Sequence, residues 1–226
     1  MRLLSNEPGT ATTRRVRLAL DGAPFPYRAG QAAALAAGSA ELTPYSIASA
    51  PHETAREDWL EFLIKVDGST RVGAVVEGLQ PGADIRVEGP TGNFTLPDIV
   101  PATPLLFIAG GTGIAPLRSM ILEALHRGRH EHLALVYSAR TPSEFAYADE
   151  LRGLAGDGRL ALTLTLTGQA DDWTHSRGRT GAAHLADLLT PRTLAFVCGP
   201  PAMVTELPAA LVSLGLPRDR VRTEDW

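Results

Sequence analysis

A glycine-rich turn at 110–113 carries the clearest chemical signal in this sequence. An apolar run at 105–109 precedes the turn, and Pro116 opens a segment whose apolar residues recur at helical spacing. A strand, a glycine turn and a helix N-terminus together present backbone N–H groups and a positive dipole end to a phosphate. The pattern predicts a nucleotide-phosphate site formed by Gly110, Gly111, Thr112 and Gly113. Similar turns also connect strands to helices where no ligand binds, so the turn alone leaves the ligand open.

Cys198 is the only cysteine, and it directly follows an apolar strand candidate at 194–197. A single cysteine excludes an internal disulfide and a cysteine-ligated iron–sulfur cluster within this chain. Redox cycling of a thiol pair is disfavoured for the same reason. Taken alone, a lone cysteine is more often a buried structural residue than a functional one. The histidines include no His-Glu-x-x-His pair, and we predict no metal site.

The overall composition excludes several classes of function. A net charge of −4 argues against nucleic-acid binding, which needs a basic face, and an aromatic content of 6% argues against a base-stacking platform. No apolar run approaches the roughly 20 residues that span a bilayer. The first residues lack the long apolar core of a secretory signal. We therefore expect a cytoplasmic protein without a membrane span, and the sequence indicates no oligomeric state.

The two halves of the chain have different hydrophobic periods. Up to residue 98, short segments of alternating polar and apolar residues are separated by turn signals, which predicts a small antiparallel barrel with one short helix at 70–78. From residue 103, apolar strand candidates alternate with helical segments, which predicts a parallel sheet covered on both faces. A proline-rich connector at 97–104 separates the two predicted domains, 1–98 and 103–226.

Four segments, in this order, resemble the ferredoxin–NADP reductase superfamily of flavoenzymes: 44–51, 110–116, 197–203 and 224–226. A fifth, 89–94, is similar to the turn that ends the flavin domain of that family. The resemblance covers nearly the whole chain. It implies a two-domain fold, with a Greek-key β-barrel that binds FAD followed by a Rossmann-like α/β domain that binds NAD(P)H. FMN is the alternative flavin.

The resemblance implies that Tyr45 stacks on the flavin ring and that Ser46 hydrogen-bonds flavin N5, the atom that accepts hydride. The remaining residues that we expect to contact the flavin are Ile47, Ala48, Ser49, Ile64, Lys65, Ser69, Thr70 and Arg71. One position departs from the family pattern, because Thr43 stands where an arginine binds the flavin pyrophosphate. A hydroxyl does not replace a bidentate cation, and we expect Arg71 to supply the missing charge.

For the nucleotide, the resemblance implies that the glycine turn binds the pyrophosphate and that Ser138, Arg140 and Tyr147 meet the adenosine part. Arg140 and Tyr147 favour NADPH. Cys198, Gly199 and Pro200 are implied beside the nicotinamide. Glu224 is implied in proton transfer or in orienting the cysteine, and Trp226 in covering the flavin until the nicotinamide enters. The candidate catalytic residues are Ser46, Cys198, Glu224 and Trp226.

The implied activity is that of an NAD(P)H-dependent flavoprotein oxidoreductase. Because the chain has no iron–sulfur module of its own, the electrons must pass to an external acceptor, such as a ferredoxin, a flavodoxin or an oxygenase component. Reduction of free flavin or of a quinone is the alternative enzymatic reading. A non-catalytic flavodomain, or a subunit of a redox complex, is the alternative from another class.

Overall fold

The computed structural model describes residues 1–68, 71–98, 103–128 and 132–225. They fall into two compact units, one formed by Met1–Leu96 with Arg118–His126 and the other by Pro97–Leu117 with Arg127–Trp226. The first contains antiparallel sheets and the second a parallel sheet with helices, which confirms the predicted fold class. The domain limits of 1–98 and 103–226 stay a prediction, since the segment Arg118–His126 groups with the first unit.

Six strands build the first unit: β1 (Leu3–Thr10), β2 (Thr13–Ala19), β3 (Ala32–Ala37), β4 (Thr43–Ser46), β5 (Trp59–Lys65) and β6 (Ile85–Thr91). They form two antiparallel sheets in the orders β1-β2-β5 and β4-β3-β6. The bridges Arg2–Asp84 and Ile47–Phe62 join the sheets. Because side chains alternate along a strand, every second residue of β2 and β5 enters one shared apolar core, which gives a barrel-like unit.

Two short helices belong to this unit, α1 (Pro51–Glu57) and α2 (Arg71–Glu77). Helix α2 was expected from the sequence, whereas α1 was not. Helix α1 starts at a proline, and the Glu53 carboxylate accepts the backbone N–H of Ala50 at 2.8 Å. The N-cap residue is alanine rather than Ser, Thr, Asp or Asn, so the usual start signal is missing from the sequence.

The second unit contains β7 (Leu105–Gly110), β8 (Leu133–Ala139), β9 (Ala161–Leu166), β10 (Ser176–Arg177), β11 (Leu194–Gly199) and β12 (Val221–Asp225). They form one parallel sheet in the order β10-β9-β8-β7-β11-β12. The connecting helices are α3 (Ile114–His126), α4 (Ala148–Gly156), α5 (Ala182–Leu185) and α6 (Pro201–Ser213). The strand order reverses at β7, and ligands of such sheets bind beyond the carboxyl ends of the strands at that point.

Helix α3 begins at Ile114, two residues before the expected start at Pro116, and it follows a 3-10 turn at Gly111–Gly113. It is almost wholly buried, from Ile114 to Leu125. Its residues from Arg118 onward belong to the first unit. No helix in the described ranges combines the length and the hydropathy needed to cross a membrane.

Candidate functional site

The glycine turn and the cysteine segment meet at the carboxyl edge of the parallel sheet. Strands β7 and β11 are neighbours, with Ala109 opposite Cys198. A Cβ on Gly113 would stand 2.3 Å from the Cys198 carbonyl oxygen, and a Cβ on Gly110 would stand 2.9 Å from a Pro200 ring carbon. Real Cβ atoms do not approach so closely, so the two motifs touch only because both positions are glycine.

Cys198 and Glu224 also lie side by side, since they are paired residues of the adjacent strands β11 and β12. The Cys198 side chain is buried, and it lies inside β11 rather than after the strand as expected. Burial raises the pKa of the Cys198 thiol well above its usual value, and the negative charges of Glu224 and Asp225 raise it further. The thiol is therefore neutral at physiological pH.

A hydrogen bond from Tyr137 of β8 stabilises the glycine turn. The Tyr137 hydroxyl donates to the Gly111 carbonyl at 3.0 Å and accepts the Ala146 N–H at 3.2 Å. Burial raises the pKa of the Tyr137 phenol, so it stays a donor across the physiological range. Gly111 takes a φ of 55°, in the left-handed region that glycine adopts without strain. The Tyr137 hydrogen bond and the glycine φ angle thus fix the backbone conformation of the turn.

The residues expected at the adenosine part of the nucleotide lie near the end of β8. Ser138 is buried and paired with Gly110 of the turn. Arg140 is exposed just beyond the strand, and its backbone N–H donates to the Glu144 carboxylate at 3.1 Å. Tyr147 is buried and has a left-handed φ of 59° where it precedes α4. Ser138 and Arg140 therefore belong to the same sheet edge as the glycine turn.

Tyr45 and Ser46 are the last residues of β4 in the first unit. They pair with Ala33 and Ala32 of β3, and both are half-buried. Tyr45 packs against the apolar core of the unit. The residues opposite are alanines, which have small side chains. Part of the Tyr45 surface is therefore accessible to a bound cofactor.

Other residues expected at the flavin lie deeper. Ile47, Ala48, Ser49 and Ile64 have 0% exposure, so they have no surface from which to contact a cofactor. The Ser49 hydroxyl is used inside the protein, where it accepts from Thr54 at 3.0 Å and from the Glu61 N–H at 3.1 Å. We infer that these four residues support the Tyr45–Ser46 strand end from behind. Lys65 is half-exposed and lies 2.9 Å from the Asp67 carboxylate.

No cationic side chain stands at position 43, where the family has arginine. The Thr43 hydroxyl donates to the Glu41 carbonyl at 3.4 Å, a long bond within its own loop. Arg71 is the first residue of α2. The expected contacts Ser69, Thr70 and Trp226 lie outside the described residues. The compensation of Thr43 by Arg71 stays a prediction.

Sequence reasoning missed one polar network in the first unit. Arg118 of α3 has a buried guanidinium that donates to the Ala48 carbonyl at 2.8 Å and to the Glu53 carboxylate at 3.0 and 3.2 Å. A charged residue in a helix is usually solvated, so nothing in the sequence placed Arg118 inside. The one signal that could have found the network is Glu53, three residues after Ala50, in the capping-box position.

Within the described ranges, no group of three or more His, Cys, Asp or Glu residues is arranged to hold a metal ion.

Comparison with known proteins agrees with the geometry of both units. Residues 1–96 match the family model of the oxidoreductase FAD-binding domain, and residues 107–207 match that of the oxidoreductase NAD-binding domain. The chain is 36% identical over 219 residues to ferredoxin–NADP reductase B of Sorangium cellulosum, covering 91% of this chain and 88% of that protein. The chain belongs to the ferredoxin–NADP reductase superfamily. It is an NAD(P)H-dependent flavin oxidoreductase that uses FAD.

Other superfamily members resemble this flavin oxidoreductase over most of its length. A cytochrome P450 reductase from Amycolatopsis shares its fold with a TM-score of 0.87 and 27% identity, over 99% of this chain and 68% of the other. The reductase component of the naphthalene 1,2-dioxygenase system of Pseudomonas putida is 30% identical, over 95% of this chain and 65% of that protein. This enzyme thus spans about two thirds of the length of these two relatives.

The residues of the chain fit both cofactors. Gly111 and Thr112 are half-exposed in the 3-10 turn that leads directly into the 13-residue helix α3, and the first backbone N–H groups of a helix have no intrahelical acceptor. At Gly110 and Gly113 there is no space for a Cβ, so the backbone at these positions is not covered by side chains of its own. Tyr45 offers a partly accessible aromatic ring at the end of β4, beside alanines. These features suit a pyrophosphate and a flavin ring, respectively.

Proposed function

We propose that this flavin oxidoreductase takes hydride from NAD(P)H and passes the electrons to a separate protein, a ferredoxin, flavodoxin or oxygenase component. The observation that carries the proposal is the convergence of Gly110–Gly113, Cys198 and Glu224 at one edge of the parallel sheet. Three motifs far apart in sequence meet where ligands of such sheets bind. NAD(P)H is the reductant that cells keep in the cytoplasm, so we propose a cytoplasmic enzyme.

On the nucleotide side, the glycine turn and the first turn of α3 hold the pyrophosphate, and Arg140 contacts the adenosine part. Cys198 supplies a neutral, polarisable side chain against which the nicotinamide packs, and this contact orients the ring for hydride transfer. Burial raises the pKa of that thiol, and the negative charge of Glu224, its paired residue, raises it further, so both favour the protonated form. The neutral thiol avoids a charge next to a cationic nicotinamide product and keeps the packing apolar.

On the flavin side, bound FAD supplies the hydride-accepting centre. The Tyr45 ring packs against one face of the flavin, and the Ser46 hydroxyl orients its N5 edge and holds a proton there. Because Ile47, Ala48 and Ser49 are fully buried behind this pair, the strand end is fixed before the cofactor binds. The preset geometry lowers the entropic cost of reaching a reactive arrangement.

The external acceptor follows from the cysteine content of the sequence. The chain carries one cysteine, so it has no ligand set of its own for an iron–sulfur cluster. Relatives include the reductase components of propane 2-monooxygenase in Mycolicibacterium smegmatis and of phenol 2-monooxygenase in Pseudomonas, of which this chain covers 64% and 55%. We propose that an acceptor of that kind docks as a separate protein.

A second candidate, reduction of free flavin or of a quinone, is favoured by Thr43. Without an arginine at this position the flavin pyrophosphate has one anchor fewer, so the flavin can exchange and act as a substrate. Flavin that leaves the protein during gel filtration and is reduced in multiple turnovers supports this candidate. Flavin that stays bound in a one-to-one ratio supports electron transfer to a protein acceptor.

The test is a spectrum of the purified protein, followed by anaerobic addition of NADH and, separately, of NADPH. We expect a flavin absorbance band that bleaches with at least one nucleotide and returns when an oxidised ferredoxin is added. Bleaching without return to ferredoxin, but with return to free flavin or a quinone, selects the second candidate. Protein reconstituted with FAD that neither nucleotide bleaches would overturn both candidates and favour a non-catalytic flavodomain.

A further inference from the structure

The Arg118 guanidinium is a buried charge in the first unit. Its side chain is 6% exposed, and the partner Glu53 is 15% exposed. A buried ion pair contributes little net stability, because desolvation of both charges offsets their attraction. An apolar residue would fill the same volume of the helix without that desolvation. The pair is therefore better explained by the geometry it imposes than by stability.

The geometry concerns the segment that directly follows Tyr45 and Ser46. Arg118 donates to the Ala48 carbonyl, and Ser119 donates to the Ser49 carbonyl at 2.7 Å. The same Glu53 oxygen that faces Arg118 accepts the Ala50 N–H, which starts helix α1. Three consecutive residues after the strand end are thus fixed by side chains, and two of those side chains come from α3.

A second contact ties the same two helices together. The Glu123 carboxylate, one turn after Ser119 on α3, lies 3.0 Å from Nδ1 of His52 on α1. Arg118, Ser119 and Glu123 thus all engage the segment from Ala48 to Glu53 or its helix. The contact between Glu53 and the Ala50 N–H is sufficient to cap α1. The hydrogen bond from Arg118 to the Ala48 carbonyl is therefore not needed for capping, and it fixes the backbone before the helix.

Helix α3 is also the helix that begins at the glycine turn. Arg118 lies five residues after Gly113, a rise of about 7.5 Å along a helix. Arg118 therefore belongs to the helix that directly follows the glycine turn in the chain.

We propose that Arg118 is a positioning residue for hydride transfer: through Glu53 and the Ala48 carbonyl it fixes the segment that directly follows the Tyr45–Ser46 strand end. The inference rests on the proposed function and adds to it a residue outside the cofactor-contact set. It implies that loss of Arg118 impairs the alignment of the reacting groups more than the affinity for either cofactor.

The test compares Arg118→Gln and Glu53→Gln with the parent, all as full-length protein. Hydrogen exchange of the backbone amides of residues 47–54, measured before and after FAD is added, reports whether the segment is fixed. Single-turnover reduction of the FAD-saturated protein at several NAD(P)H concentrations separates the hydride-transfer rate from the nucleotide Kd. The visible circular dichroism of the bound flavin reports the orientation of the ring and its contacts with the protein.

We expect Arg118→Gln to slow hydride transfer by roughly tenfold or more, as small misplacements of reacting groups do, with the nucleotide Kd within about threefold of the parent. Exchange at residues 47–54 should rise, and the dichroism of the flavin should change. Arg118→Lys, which keeps the charge but not the two-pronged contact, should recover only part of the rate. Glu53→Gln, which keeps an acceptor for Ala50, should show the same pattern more weakly.

Two control variants separate positioning from stability and from charge. Leu3→Ala opens a cavity in the core of the same unit, and Arg127→Gln removes a cation of an exposed ion pair just after α3. Both should keep the parental hydride-transfer rate, although Leu3→Ala lowers the Tm. A parental rate in Arg118→Gln, or equal slowing in Leu3→Ala, would overturn the inference. A parent protein that NAD(P)H does not reduce would instead overturn the proposed function itself.

Discussion

At the scale of single residues, Cys198 shows how strand pairing controls a side chain. It is paired with Glu224 in β12 and with Ala109 in β7, and its side chain is almost fully enclosed. Enclosure and the nearby carboxylates both favour the protonated thiol. The sequence motifs led us to expect Glu224 close to Cys198, and the register of β11 and β12 pairs the two residues.

The raised pKa of Cys198 makes stability depend on pH. In the unfolded chain a thiol ionises near pH 8.5, whereas burial in the folded protein raises the pKa of Cys198 well above that range. The protein therefore has its full stability below about pH 8.5 and loses part of it as the pH rises further, because only the unfolded state gains by deprotonation. We expect the free energy of unfolding of the parent to fall between about pH 8.5 and 10 more steeply than that of Cys198→Ser. Urea titrations across this range measure the difference, and equal slopes would contradict it.

Arg140 provides the residue-scale test of nucleotide preference. Its backbone is fixed by Glu144, and its side chain is exposed beyond β8. If the guanidinium contacts a 2′-phosphate, Arg140→Ala should raise the KM for NADPH roughly tenfold, as expected for a lost charge-assisted hydrogen bond, and leave the KM for NADH unchanged. Arg152→Ala, at an exposed position of α4, is the control. Equal effects on both nucleotides would argue against a contact with the phosphate.

At the scale of elements, the glycine turn depends on tight packing between β7 and β11. Gly113→Ala would place a Cβ 2.3 Å from the Cys198 carbonyl oxygen, so the strands must move apart. We expect this substitution to abolish measurable nucleotide binding and to lower the Tm. Gly153→Ala in α4 meets no atom within 4 Å and should stabilise the protein by about 0.5–1 kcal/mol. Calorimetric titration with NAD(P)⁺ and thermal melts compare the two variants.

Asn6 of β1 fixes the far end of helix α2. Its Nδ2 donates to the carbonyls of Val76 and Leu79 at 2.7 and 3.0 Å, where the helix ends. In Asn6→Asp the donor is lost and a carboxylate faces two carbonyls, which should cost roughly 1–3 kcal/mol of stability. Because α2 starts next to the residues expected at the flavin pyrophosphate, FAD should also dissociate faster. Asn93→Asp is the matched control, and equal FAD dissociation rates in both variants would refute the link.

The sequence predicted those elements that carry one strong local signal, such as a regular hydrophobic pattern. The residues of strand β2 alternate between polar and apolar, those of β5 do so in part, and β7 and β11 are continuous apolar runs, so both classes were predicted. Helix α1 was missed because Ala50 gives no start signal and its cap is a side chain inside the helix. Arg118 was missed because burial of a charge depends on a partner 65 positions away in the chain, which no local pattern contains.

The candidate site was predicted to a different degree in each unit. The glycine turn and the cysteine segment are backbone features, which depend on local sequence, and the structure brings them together. For the flavin, the motif gave the strand end at Tyr45 and Ser46. The motif did not reveal that Ile47, Ala48 and Ser49 lie wholly inside, because burial depends on the helices that cover them.

At the scale of the whole molecule, the two compact units are not two consecutive stretches of sequence. Arg118–His126 belongs with the first unit, although it follows the glycine turn of the second. Met120 lies directly against Gly30, where the Met120 side chain and the Phe94 carbonyl oxygen leave no room for a Cβ and the φ of +100° also favours glycine. The core of the first unit is therefore completed by a helix that the chain reaches only after residue 113.

This arrangement predicts the behaviour of fragments. We expect residues 1–98 alone to lack a cooperative thermal transition, because the buried face supplied by Arg118–His126 is missing. A fragment of residues 1–128 retains helix α3 and should show more native near-ultraviolet circular dichroism and tighter FAD binding. Melting curves and FAD titrations of the two fragments, made side by side, measure this difference. Equal cooperativity in both would show that the helix is dispensable for the first unit.

The buried, protonated thiol of Cys198 also bears on the durability of the protein under oxidative stress. A reduced flavin exposed to dioxygen produces hydrogen peroxide, and peroxide attacks thiolates far faster than thiols. Enclosure within the sheet and the neighbouring carboxylates keep Cys198 out of the thiolate form. We therefore expect the Cys198 thiol to react only slowly with the peroxide that a reduced flavin generates in air.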